Sequence, residues 1–228
     1  MAKVVLILGR SGSGKSRSFK NFGAKELFVV KTINKDLPFK SKFIELLSCD
    51  YAKINAKITR CPMKSIVIDD CGYLLTDEFI RRNSEKSYEK FNDMATNYYN
   101  LITYVQNFLP NDKIVYFIMH EEENEITGQC KPKTIGKMLD EKVCLEGLFT
   151  MVIRCVNEGG DHKFYVNNSG CAKTPEGMFD SDSIPNDLKY VDTKIREFYG
   201  IVENNETENN EENKEQWEDL ILIRQQKK

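Results

Sequence analysis

Gly9-Arg10-Ser11-Gly12-Ser13-Gly14-Lys15-Ser16 fits the pattern G-x-x-x-x-G-K-[ST] in full. The spacing has a physical reason. Glycines let successive backbone N–H groups turn inward with no Cβ in the way, which makes a hole for an anion. Lys15 is expected to reach the β- and γ-phosphates of ATP, and the Ser16 hydroxyl to bind Mg2+. The nucleotide-contact set is Gly9, Arg10, Ser11, Gly12, Ser13, Gly14, Lys15, Ser16 and Ser18. Ser65-Ile66-Val67-Ile68 then reads as a buried strand that carries Asp69 and Asp70 to the sheet edge where phosphates sit. Asp69 is expected to hold Mg2+, directly or through water. Asp70 could polarise the attacking water, or could merely cap the next turn. His120-Glu121-Glu122-Glu123 follows another apolar run, Lys113–Met119. If that strand neighbours the phosphate-loop strand, His120 or Glu121 would sense the γ-phosphate or position water. The candidate catalytic set is therefore Lys15, Asp70, His120 and Glu121. The only other histidine, His162, has no metal-ligand spacing to His120.

These residues need elements to hold them. Val4–Leu8 is a continuous apolar run, as expected of a strand buried on both faces of a parallel sheet. The pattern predicts a helix from about Lys15, a strand over Leu27–Val30, a helix over Phe39–Leu47 and a strand over Tyr51–Ile58. A long helical stretch follows from Thr76 to Phe108, interrupted near Asn83-Ser84. Its spacing of Phe91, Met94, Tyr98, Leu101 and Val105 is a core-facing stripe. After a polar loop, Glu121–Lys133, a short helix is expected near Ile135–Leu139. Phe149–Val156 and His162–Asn167 read as a hairpin around Glu158-Gly159-Gly160-Asp161. Pro185–Tyr199 reads as the last helix. The fold class is α/β: a mostly parallel central sheet flanked by helices, with a late antiparallel hairpin.

The 228 residues suit one such domain, and no apolar run approaches the length that spans a bilayer. A cytoplasmic location is expected, with no membrane partner. Seven scattered cysteines, none in C-x-x-C, argue against a disulfide framework or a structural zinc site. Most are expected to be small buried apolar residues. The net charge of −2 hides an asymmetry. Eight acids and four bases lie beyond residue 202, which leaves 29 bases and 27 acids before it. The organisation is then a core over 1–202, an acidic Asn/Glu-rich disordered linker over 203–215, and a short amphipathic segment over 216–228. The Trp217–Ile223 patch could dock on a partner protein.

With these motifs in place, the sequence resembles the RecA/RadA core of the phosphate-loop ATPases. It looks most like small phage-encoded ATP-binding proteins, some of which anneal single-stranded DNA in recombination. The carriers are Gly9–Ser16, Ile66–Asp70, His120-Glu121-Glu122, the block 131–139 and the block 173–179. The resemblance implies a RecA-like fold, ATP and Mg2+ as cofactors, a homo-oligomer, single-stranded DNA as partner, and the host cytoplasm if phage-encoded. It implies a DNA-facing loop over Glu121–Lys133, with Gly128 giving freedom and Lys131, Lys133 and Lys137 contacting phosphates. It also implies that a lysine after the late hairpin reaches the next subunit's nucleotide. Lys173 is the best match, Arg154 and Lys163 weaker ones. One departure is plain. RecA-type enzymes place a catalytic glutamate after the second core strand, where this chain reads Val30-Lys31-Thr32-Ile33-Asn34-Lys35. Either Asp70 or Glu121 takes over, or hydrolysis is slow. Two other readings share the loop: a nucleotide or small-molecule kinase, though no arginine-rich lid is present, and an ATP-sensing adaptor or loader that acts through protein partners.

Overall fold

A computed structural model describes residues 1–201 except Glu125, Thr127 and Gly128. The expected linker and Trp217 segment, and the Gly128 pivot, lie outside the described residues. The chain is α/β, with a mostly parallel mixed sheet flanked by helices. The strands are β1 (Lys3–Gly9), β2 (Leu27–Lys31), β3 (Ile44–Leu47), β4 (Ser65–Asp69), β5 (Ile114–Glu123), β6 (Cys130–Pro132), β7 (Met151–Glu158), β8 (Asp161–Tyr165) and β9 (Ser183–Pro185). Their spatial order is β3-β2-β4-β5-β1-β7-β8-β9. The first six in that order run parallel, and β8 and β9 add an antiparallel edge. β6 folds back on the far end of β5.

The helices are α1 (Tyr51–Arg60), α2 (Tyr73–Arg81), α3 (Glu89–Phe108) and α4 (Leu188–Tyr199). Alternation along β1 fixes the two cores. Val4, Leu6 and Leu8 face α1–α3, packing with Ile58, Leu74, Tyr98 and Val105. Val5 and Ile7 face α4, packing with Phe19, Val191 and Ile195. The expected stripe on α3 is buried at Met94, Tyr98, Leu101 and Val105. No helix among the described residues is long and apolar enough to cross a membrane.

Four expectations are corrected. Phe39–Leu47 is not a helix; its second half is β3, a half-buried edge strand, and Lys40, Ser41, Lys42 and Glu45 among the apolar residues imitate a helical face. Tyr51–Ile58 is not a strand. It is α1, started by the Asp50 carboxylate, which accepts from the Lys53 N–H at 3.1 Å, and ended at Lys57 and Arg60, which suit the C-terminal dipole. The stretch Glu121–Lys133 is not all loop, because its ends pair as β5 and β6. The helix expected from Lys15 is only a four-residue 3-10 turn, Ser16–Phe19. Ser18 Oγ donates to the Lys15 carbonyl at 2.6 Å, a side-chain bond that competes with helix propagation. Phe19 and Phe22 then plunge into the core, and the chain turns at Gly23 toward β2. Any anion hole here rests on backbone amides and Lys15, not on a helix dipole.

Candidate functional site

The parallel register brings three strand ends together. Gly9 at the end of β1 pairs with His120 on β5, and β5 separates β1 from β4, which ends at Asp69. The strand before His120 is thus the neighbour of β1, the strand that leads into the glycine-rich loop, as the sequence suggested. Lys15, Asp69 and Asp70 are all at most 5% exposed. Lys15 Nζ donates to the carbonyls of Gly9 and Arg10, each at 2.8 Å, and lies 3.5 Å from His120 Nδ1. Ser16 Oγ donates to Asp69 Oδ1 at 2.9 Å. His120 Nε2 lies 3.6 Å from Asp70 Oδ1, and the other Asp70 oxygen is ion-paired with Lys35. Asp70 has φ +54, a left-handed conformation that Asp tolerates better than most residues. Thr32 Oγ1 fixes this corner by donating to the Asp70 carbonyl at 2.8 Å.

The burial has electrostatic consequences. Burial lowers the Lys15 ammonium below its ordinary value, against the pull of Asp70 and other nearby acids. Burial, then the neighbouring Asp70 charge, pushes the Asp69 carboxyl up to about 6, although the Ser16 hydroxyl pulls it back. Burial and the nearby Lys15 charge lower His120, so its imidazole is neutral at pH 7.

Several features fit a bound nucleotide and metal. Gly12 and Gly14 have φ of +77 and +101, and their backbone N–H groups meet no protein acceptor among the described residues. Ser13 Oγ is buried without a partner. Lys15 holds two backbone carbonyls and approaches the neutral His120 ring, a placement that phosphate oxygens would improve on. A cleft of roughly 730 Å3 opens beside the loop, lined by Arg10, Ser13, Glu121, Arg154 and Gly160 among others. No group of three or more His, Cys, Asp or Glu among the described residues could hold a metal. Magnesium at a phosphate loop needs only one or two protein ligands beside the phosphates and water, and Ser16 with Asp69 supplies that set.

The remaining candidates divide. Glu121 is drawn away from His120: both its oxygens accept from Arg154, at 2.8 and 3.0 Å, and Arg154 also grips Glu123, which takes Arg10 of the loop. Adjacent strand residues face opposite ways, so His120 and Glu121 cannot share one site. Arg154 and Lys163 are committed to acids of their own chain, whereas Lys173 is exposed and makes no ion pair among the described residues. Its backbone pairs with Val152 on β7. Lys131 is ion-paired with Asp140, while Lys133 and Lys137 are exposed. The Lys133 N–H donates to the His120 carbonyl at 2.8 Å. Two contributors escaped the sequence reading. Lys35 stands where a glutamate was sought and answers Asp70 with the opposite charge. His162, dismissed as a ligand, buttresses the loop: its Nδ1 lies 2.7 Å from the Ser13 carbonyl, which Cys155 Sγ also reaches at 3.1 Å.

This buttress makes a prediction. A Cβ on Gly14 would sit 2.7 Å from His162 Nδ1 at a backbone angle that L residues avoid. Gly14→Ala is expected to weaken nucleotide binding roughly ten- to hundred-fold, from a strain of about 1–3 kcal/mol. Gly159→Ala, also at positive φ but with open space around it, is the control. Fluorescent-nucleotide titration of both variants measures the difference; equal affinities would contradict the buttress.

No protein-family model matches this chain, and comparison with curated proteins gives no match either.

Proposed function

We propose that this chain is a Mg2+-dependent ATPase built on a RecA-like phosphate-loop core, which binds single-stranded DNA and assists its annealing or recombination. One observation carries the reading. β5 lies between β1 and β4, so the loop lysine, the magnesium acid and a neutral histidine converge on one point at the sheet edge.

Lys15 exchanges two carbonyls for β- and γ-phosphate oxygens, where its charge is better spent. Ser16 and Asp69 would hold the metal, which would supply positive charge to neutralise charge growing on the phosphates. His120 Nε2 and the Asp70 carboxylate stand together beyond Lys15, where an attacking water would lie. Asp70, whose Oδ2 pairs with Lys35 and whose Oδ1 faces His120, would take that water's proton through Oδ1. Glu121 is not available for this step, being held by Arg154.

The link to DNA is supported by the β5–β6 hairpin. Lys133 is bonded through its backbone to the carbonyl of His120, so a phosphate contact at Lys133 would be felt at the γ-phosphate side of the site, with Lys137 exposed farther along the same segment. Lys131 contributes after release from Asp140. Lys173, exposed and without an ion pair among the described residues, is the group that would reach a neighbouring subunit in a homo-oligomer, and specific activity would then rise with protein concentration.

The test is ATP hydrolysis measured with and without single-stranded DNA over a salt series. DNA is expected to raise the rate, with affinity falling steeply as salt rises. Lys133→Ala should lower the salt slope by about one. No binding at low salt, or transfer of the γ-phosphate to a nucleoside monophosphate instead of water, would overturn the proposal.

A further inference from the structure

The fold brings together two cysteines that the nucleotide site does not use. Cys130 begins β6 and is buried; Cys171 is half-buried in the turn after β8. Their Sγ atoms are 3.1 Å apart, and the Cys171 backbone N–H donates to Cys130 Sγ at 3.2 Å. Gly170, at φ +57, lets this turn close over the sulfur, since any side chain there would collide with it. Arg154 and Glu121 face Cys130, and Glu146 faces Cys171. The Cys171 S–H, its N–H and the Arg154 charge together outweigh burial and draw the Cys130 thiol down to about 7. Donation to its neighbour, and burial, push Cys171 up. The pair is thus divided into a thiolate and a proton-bearing partner.

We propose that Cys130 and Cys171 form a reactive dithiol site that takes a peroxide and closes to a disulfide. The Cys130 thiolate attacks one oxygen of hydrogen peroxide. The O–O bond breaks, and hydroxide leaves and picks up a proton as water. Cys130 is now a sulfenic acid. The Cys171 sulfur attacks it, the S–O bond breaks, and the Cys171 proton leaves with the second hydroxide as water. Two thiols and one peroxide give one disulfide and two waters; the sulfurs lose two electrons and the peroxide gains them. The new bond would tie β6, next to Lys131 and Lys133, to the turn that carries Lys173. The dithiol chemistry itself does not depend on nucleotide binding.

The experiment treats the reduced full-length chain with a slight molar excess of hydrogen peroxide. Thiols are then counted under denaturing conditions and cross-linked peptides are mapped by mass spectrometry. The expected result is a fall from seven thiols to five, with one cross-linked pair containing Cys130 and Cys171. In Cys171→Ser, Cys130 should stop at the sulfenic acid and be trapped by dimedone. In Cys130→Ser, Cys171 should react at least about ten-fold more slowly than the wild-type pair. An unchanged thiol count, a cross-link at exposed Cys144 or elsewhere, or a Cys130→Ser variant as reactive as wild type would overturn the proposal. Should either serine variant fail to fold, the wild-type peptide map decides alone.

Discussion

Asp69→Asn is expected to raise the stability of the nucleotide-free protein while abolishing Mg2+-dependent nucleotide binding. The Asp69 carboxylate is buried, and its pKa stands at about 6 against an ordinary 3.8. Keeping it ionised at pH 7.5 therefore costs the empty fold on the order of 2–3 kcal/mol. Asparagine removes that charge, and its carbonyl can still accept from Ser16. A chain of this size should gain several degrees in melting temperature. The sign fixes the pH dependence. A carboxyl raised in the folded state binds its proton more tightly there than in the unfolded chain. The empty wild type should therefore gain stability as pH falls from about 7 to about 4, and the variant should lack that gain. With Mg2+ and ATP at about a thousand times the wild-type Kd the order reverses. The wild type gains about 4.1 kcal/mol there, and the variant gains nothing. Calorimetric melts at two pH values, with and without ligand, give all four comparisons. A variant that melts lower than wild type when empty would contradict this account of the site.

Arg154→Ala carries the other large effect. Glu121 is 2% exposed at its side chain, and Arg154 holds both of its oxygens. Removing one partner of a buried pair strands the other charge and costs about 3–5 kcal/mol. A fall of roughly 10 °C in melting temperature follows for a chain of this length. Arg154→Met combined with Glu121→Leu removes both charges and should recover most of the loss, since the pair is then replaced by apolar volume. Denaturant unfolding of the two single variants and the double measures the coupling. A single variant that loses under about 1 kcal/mol would mean that the pair is solvated in practice.

The parts legible in the sequence were those whose chemistry is local. The glycine-rich loop spans eight consecutive residues, and Asp69 follows four residues of buried strand, so composition and spacing sufficed to single them out, and the structure brings them together. β1, β4 and β5 announced themselves because strands buried on both faces tolerate little polarity. β3 and α1 were exchanged because an edge strand and a half-exposed helix both mix polar with apolar residues. Asp50 before Tyr51, with Lys57 and Arg60 at the far end, was the cap signal that would have told them apart. The short turn after Ser16 was written in Ser18, Asn21 and Gly23, weak helix formers beside two core phenylalanines. The Lys35–Asp70 pair, the Arg154–Glu121 clamp, the His162 buttress and the Cys130–Cys171 contact join residues 33 to 149 positions apart. No spacing rule reaches them, because only the packed sheet brings their strands together.

The most direct measurement is calorimetric titration of Mg2+·ATP into the wild-type chain and into Lys15→Ala. One site per chain is expected in the wild type. Lys15→Ala should bind at least roughly a hundred-fold more weakly, since two charge-assisted bonds to phosphate are lost. No binding to the wild type, or equal affinity in the variant, would contradict it.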